Sequence, residues 1–179
     1  MKRIFTTVFF AAFLLFGASE AFAKINLFAY SRPVPDTKIY YQDGTSYKLS
    51  DFKGKFVIAL FWSRTCVPCI RELKSLNKFY NKTKDENIKL VMISPFDEWN
   101  THAEQRDFLS KYKAIDVDFF VDNRGDLASA FGIFSYPHSV LINQDGEEIG
   151  RIRGQMDWND EDVIQYIYDL RDGKIKGPK

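Results

Sequence analysis

Cysteine is scarce in this chain. Only two of its 179 residues are cysteine, and histidine is equally rare. With two cysteines the chain is not a disulfide-stapled scaffold. His102 and His138 are the only histidines, so a structural zinc site, which wants about four ligands, would have to enlist every cysteine and histidine of the chain. Neither sign of charge dominates: 25 basic residues face 24 acidic ones. Without a basic excess there is no electrostatic footprint for nucleic acid. Beyond the N-terminus no apolar run approaches the ~18 residues that a membrane-spanning helix needs. Internal repeats and low-complexity segments are absent as well. Aromatic residues, in contrast, are plentiful at 16%, enough to furnish a well-packed core.

The N-terminus has the pattern of an export signal. Lys2 and Arg3 make a basic start, and Ile4 to Gly17 is apolar apart from Thr6 and Thr7. Ala21-Phe22-Ala23 is a small-x-small cleavage site, which predicts a mature chain from Lys24. Retention of residues 1–23 as an uncleaved anchor is the alternative, since Ser19 and Glu20 interrupt the stretch only weakly. Removing Lys2, Arg3 and Glu20 leaves 23 basic and 23 acidic residues in a length that suits one domain with a single core.

The two cysteines stand three apart in Phe61-Trp62-Ser63-Arg64-Thr65-Cys66-Val67-Pro68-Cys69. The apolar run Phe56 to Trp62 reads as a buried strand. After the motif, Ile70, Leu73, Leu76, Phe79 and Tyr80 recur at helical spacing. The pair thus sits where a strand hands over to a helix. A sulfur there meets unpaired backbone N–H groups and the positive end of the helix dipole. Both favour thiolate, which makes Cys66 a nucleophile and Cys69 a thiol able to resolve a mixed disulfide. A structural disulfide is the competing reading, but so short a loop constrains the unfolded chain little.

The rest of the chain reads as alternating elements. Residues 24–37, with Pro33 and Pro35, form a linker. Ile39-Tyr40-Tyr41 and Thr45 to Lys48 flank Asp43-Gly44 as a small N-terminal β-hairpin. A helix from Cys66 to about Lys84 and an apolar strand Lys89 to Ser94 follow. Thr101 with Glu104 makes a capping box for a helix to about Lys111. Asp118 to Val121 is a short strand, and Asp126 to Phe131 a short helix closed by Gly132. Ser139 to Ile142 and Glu147 to Arg153 flank Gln144-Asp145-Gly146 as a hairpin. Asn159 caps a last amphipathic helix that ends at Gly173. The order predicts an α/β domain over residues 38–175, a mixed central sheet with helices on both faces.

These residues resemble the thioredoxin superfamily, and within it the exported TlpA/ResA-type thiol–disulfide oxidoreductases, which include cytochrome c maturation proteins. Gly54-Lys55 before the apolar strand, Phe61-Trp62, Cys66-Val67-Pro68-Cys69 and Arg71-Glu72 carry the resemblance. So do Asp122 to Gly125, Leu127-Ala128, Phe131-Gly132-Ile133, Tyr136-Pro137, Leu141 to Gly146 and Gly154 to Trp158. The resemblance implies a thioredoxin-like fold and a Cys66–Cys69 redox disulfide that needs no organic cofactor and no metal. It makes Pro137 a cis-proline facing the disulfide, with Tyr136 and Trp62 beside an incoming peptide. It implies a monomeric periplasmic reductant of cysteine-containing exported proteins, such as apocytochrome c or copper-site assembly factors, fed by a membrane electron donor. Nucleic acid is not a partner, and membrane contact comes only through an uncleaved N-terminus.

Glu72 lies three residues after Cys69, and at about 100° per residue it shares a helix face with it. The resemblance gives this carboxylate a proton-transfer role, whereas the residues alone favour a solvated helix glutamate. Some positions depart from the family. Lys74 stands where relatives commonly kink the helix with proline. His138 beside Pro137 could favour a thiolate if protonated, or be a partly exposed polar residue. Arg64 either adds positive potential or does nothing. Two other functions remain open: a copper-binding oxidase assembly protein using both sulfurs and a histidine, and a thiol peroxidase. For the latter Ser63 is correctly spaced, but Ala59 replaces the proline that motif requires.

Overall fold

The computed structural model describes residues 24–177; the signal-like segment, residues 1–23, lies outside the described residues. Strand β1 (Lys24–Pro33) comes first, then the hairpin β2 (Ile39–Tyr41) and β3 (Ser46–Tyr47). Next are β4 (Phe56–Phe61), α1 (Val67–Thr83), β5 (Ile88–Pro95), α2 (His102–Lys111), β6 (Phe119–Asp122) and α3 (Asp126–Ala130). The hairpin β7 (His138–Ile142) and β8 (Glu147–Arg153), then α4 (Glu161–Arg171), complete the order. The strands form one sheet in the order β1-β8-β7-β4-β5-β6-β2-β3. The strands β4, β5 and β6 are parallel, while β7 runs antiparallel to β4 and β8 antiparallel to β7. This is the expected mixed sheet with helices on both faces.

Strand β4 reads as an unbroken apolar run because both of its faces are covered. Phe56, Ile58, Leu60 and Trp62 point to the layer formed by Leu73, Leu76 and Phe79 of α1 and Ile164, Ile167 and Leu170 of α4. Val57, Ala59 and Phe61 point the other way, to Leu127 and Ala128 of α3 and Ile39 of β2. Helix α1 is set by its sequence at both levels. Pro68 in the first turn suits a position whose N–H has no intrahelical partner. The buried residues Cys69, Leu73, Leu76 and Phe79 then make the stripe that seats it on the sheet. Helix α2 starts at the expected Thr101, whose Oγ1 accepts the Glu104 N–H at 3.1 Å, but the Glu104 carboxylate takes the Asn100 N–H at 3.0 Å instead of closing the capping box on Thr101. Helix α4 does not start at its expected cap. Its cap is Asp160, which accepts the Asp162 N–H at 2.8 Å, rather than the neighbouring Asn159.

The linker expected over residues 24–37 is, in its first ten residues, strand β1 paired antiparallel with β8. Its side chains are mostly exposed, so no apolar alternation announced it. The small N-terminal hairpin is likewise part of the sheet, since β2 pairs with β6. What permits β1 is Gly150, opposite Leu27. A Cβ there would stand 2.7 Å from Leu27 Cδ2 and 2.8 Å from the Asn26 carbonyl oxygen. Gly150→Ala is therefore expected to loosen β1, at a cost of about 1–3 kcal/mol for overpacking. Hydrogen exchange checks this: amides of residues 24–33 lose protection while those of α1 keep theirs. Unchanged protection in β1 would show that the contact is not limiting.

Candidate active site

The chain leaves β4 at Phe61, and a five-residue loop, Trp62 to Cys66, carries it to α1. Cys66 is the N-cap of that helix, and its sulfur accepts the Cys69 N–H at 3.2 Å. The two cysteines are joined in a disulfide with their Cα atoms 5.3 Å apart. They differ in access. Cys69, one turn in, is 1% exposed, whereas Cys66 at the helix mouth is partly exposed. A thiolate at Cys66 would face the N–H groups of the first turn and the positive end of the dipole, worth about 0.3–1 kcal/mol at an accessible position.

The loop before Cys66 is held from the β5–α2 connection. Ser63 Oγ donates to the Glu98 carboxylate, and the Arg64 backbone N–H donates to Glu98 Oε2 at 2.8 Å. The Arg64 guanidinium donates to the Glu98 carbonyl oxygen at 2.8 Å and to the Glu104 carboxylate at 2.6 Å. Its flat face lies over the Trp99 ring, 5.0 Å from the centroid. Arg64 is thus neither idle nor a free positive charge, for its charge is matched by Glu104. Glu98 was missed in the sequence because it belongs to no motif and stands 34 residues from the loop it holds.

Glu72 is buried, at 2% exposure, on the inner side of α1. Its Oε2 accepts the Met156 N–H at 3.0 Å, while Oε1 has no partner among the described residues. Burial lifts its pKa to about 8; the Met156 N–H and the Trp158 indole pull the other way. That indole nitrogen lies close by without completing a hydrogen bond of ordinary geometry. The solvated-glutamate reading therefore fails: Glu72 is a buried carboxyl near the second sulfur's end of the helix.

Pro137 follows a cis peptide bond with Tyr136 and is buried. The register of β7 against β4 pairs His138 with Phe61, so Pro137 flanks Trp62 at the strand end from which the cysteine loop departs. The Pro137 carbonyl oxygen accepts the Gly154 N–H at 3.1 Å, tying this turn to the end of β8. Tyr136 is half-buried; burial and the charge of Glu98 raise its hydroxyl pKa. Trp62, expected beside an incoming peptide, is 0% exposed. It packs among Trp99 and Phe108 with centroids 5.9 and 6.1 Å away, so it supports the site from within the core. His138 is a further correction. It is buried, and burial, with Arg151 and Arg153 nearby, lowers its pKa to about 4. A neutral His138 supplies no positive charge to a thiolate. Among the described residues no three His, Cys, Asp or Glu side chains group as metal ligands.

The raised Glu72 pKa has a stability consequence with a definite sign. The folded chain keeps a proton up to about pH 8 that the unfolded chain releases near its ordinary value of 4.5. Stability from this group is complete below the lower value and is lost as pH rises through the higher one. The gap corresponds to as much as roughly 5 kcal/mol. Glu72→Gln removes the titration. Urea unfolding from pH 5 to 8 should show the natural protein losing stability relative to the variant. Parallel curves would mean that Glu72 ionises freely.

Comparison with known proteins agrees with this geometry. The family model described as Redoxin matches residues 30–167. The thiol–disulfide oxidoreductase ResA of Bacillus cereus is 29% identical over 148 residues, covering 82% of this chain and 81% of that protein. Among solved structures, a thiol:disulfide interchange protein from Bacteroides sp. superposes with a TM-score of 0.66 at 23% identity, covering 81% of this chain and 91% of the other. The exposed lipoprotein thioredoxin of Streptococcus pneumoniae superposes at 0.58 with 28% identity, covering 76% of this chain and 100% of the other. A buried and a partly exposed cysteine in Cys-x-x-Cys spacing, on a thioredoxin-like sheet and with these relatives, mark a ResA-like thiol–disulfide oxidoreductase, and the chain belongs to the redoxin family of the thioredoxin superfamily.

Proposed function

We propose that the protein reduces disulfides in exported partners, with Cys66 as nucleophile, Cys69 as resolving thiol and Glu72 as proton carrier. The Cys66 thiolate attacks one sulfur of the partner's disulfide. A mixed disulfide forms, and the displaced partner sulfur leaves as a thiolate and takes up a proton. The minor ionised fraction of Glu72 present near neutral pH accepts the Cys69 proton. The Cys69 thiolate then attacks Cys66 Sγ, closing the protein's own disulfide and releasing the partner's second sulfur. Two electrons have passed to the partner, and a membrane electron donor restores the dithiol. Pro137 and Tyr136 line the approach to Cys66 and hold the incoming chain.

The observation that carries this reading is the asymmetry of the pair: Cys66 accessible at the helix mouth, Cys69 covered one turn further in. Glu72 supports it. A carboxyl whose pKa burial lifts to about 8 is a stronger base than an ordinary carboxylate and so takes a thiol proton at lower cost. The N-terminal pattern of residues 1–23 supports action outside the cytoplasm, in the periplasm, whether the segment is cleaved or retained as an anchor. Among described residues no helix is long and apolar enough to cross a membrane. The partners that fit are proteins whose cysteines must be reduced after export, such as haem-binding cysteines of apocytochrome c or copper-site cysteines of an assembly factor.

Two measurements test the proposal. Cys69→Ser should accumulate a mixed disulfide through Cys66, because no resolving thiol remains; trapping through Cys69 in a Cys66→Ser protein instead would reverse the roles. For direction, a glutathione-buffer titration of the Cys66–Cys69 couple should give a potential toward the thioredoxin end, about −220 to −270 mV. A potential near about −120 mV would make the protein an oxidant.

A further inference from the structure

Beside Glu72 the surface opens into a groove of about 290 Å³ between α1 and the segment that joins β8 to α4. Arg71, Lys74 and Lys78 form its α1 wall, spaced so that all three share one helix face. All three are exposed, and none is ion-paired among the described residues. The one acidic group on the opposite wall is Asp157, which accepts the Asn159 N–H at 3.0 Å. At the floor lies the Glu72 carboxyl, whose Oε1 is buried without a partner among the described residues.

We propose that this groove binds an acidic segment of the partner polypeptide next to its reacting cysteines. The proposal rests on the thiol-exchange reading and adds the chemistry of the substrate. Three uncompensated cations against one carboxylate select negative charge, and a protonated Glu72 at neutral pH leaves that balance intact. The groove is polar, open and at the lower end of the ~300–1,000 Å³ of enclosed small-molecule pockets. It suits side chains of a passing polypeptide better than a sequestered ligand. Its position also fixes a spacing. At about 1.5 Å per helical residue, Arg71, Lys74 and Lys78 stand roughly 8, 12 and 18 Å along α1 from Cys66. An extended partner covers that span in about two to six residues.

Three peptides test this. Each carries one Cys-x-x-Cys disulfide, and the positions two to six residues from it are Asp, Asn or Lys. Reduction by the reduced protein is followed at low ionic strength. The Asp peptide is expected to react about tenfold faster than the Asn peptide, and the Lys peptide more slowly. The advantage should fall toward unity as salt shortens the screening length. In the double variant K74Q/K78Q, checked for folding by circular dichroism, the Asp-to-Asn ratio should drop to about threefold or less. Equal rates for Asp and Asn peptides, or a ratio untouched by K74Q/K78Q, would overturn the acidic-partner proposal while leaving the exchange reading standing. Failure to reduce any of the three peptides would remove the exchange reading and this proposal with it. Equal peptide rates joined to K74Q/K78Q-sensitive binding of phosphatidylglycerol vesicles would overturn it in favour of a membrane surface.

Discussion

The hydrogen bond from the Cys69 N–H to the Cys66 sulfur, at 3.2 Å, is the contact around which the rest is arranged. It requires a cysteine at the N-cap, where serine, threonine, aspartate or asparagine usually stands. It places that sulfur at the positive end of a helix seated on the sheet by Leu73, Leu76 and Phe79. A thiolate at the same atom inherits the N–H groups that satisfy the N-cap. The chemistry and the helix start therefore share one interaction.

Holding that atom still is the work of residues drawn from distant parts of the chain. Glu98 and Glu104 fix Ser63 and Arg64 before the helix begins. Trp62 fills the space beneath, among Trp99 and Phe108. From the other side, the Gly154 N–H holds the Pro137 carbonyl, and two residues later the Met156 N–H holds Glu72. The short segment after β8 thus touches both the proline turn and the buried carboxyl. Charge is arranged just as unevenly. Arg64 is compensated and His138 is neutral, while Arg71, Lys74 and Lys78 are unpaired among the described residues. Positive potential accordingly lies along α1 past the sulfurs, where a partner chain can meet it, and not at the thiol itself.

Much of this was legible in the sequence, for physical reasons. Strand β4 and helix α1 declare themselves because one is apolar throughout and the other apolar at helical spacing, with Pro68 in the first turn. The hairpin of β7 and β8 follows from its Asp145-Gly146 turn. Strand β1 was hidden because an edge strand buries little and so needs no apolar alternation. The burial of Glu72 and His138 was hidden too. A charge-bearing side chain reads as exposed unless one knows what packs over it, and here Met156 and the β8 arginines come from far along the chain. Trp62 fitted both the buried strand run and a wall beside the incoming peptide, because Trp99 and Phe108, which enclose it, belong to a different element. Asn159 and Asp160 are adjacent and equally good caps by type, so only the backbone path decides between them.

The most direct test of a helix-stabilised Cys66 thiolate is the pH dependence of its alkylation in the reduced protein. Iodoacetamide is the reagent, and peptide mapping reads each cysteine separately. The N-cap N–H groups and the dipole should bring the Cys66 inflection about one unit below the free cysteine value of about 8.5, with Cys69 labelled more slowly throughout. A Cys66 inflection at or above the free value, or faster labelling of Cys69, would contradict the central role given to the helix mouth.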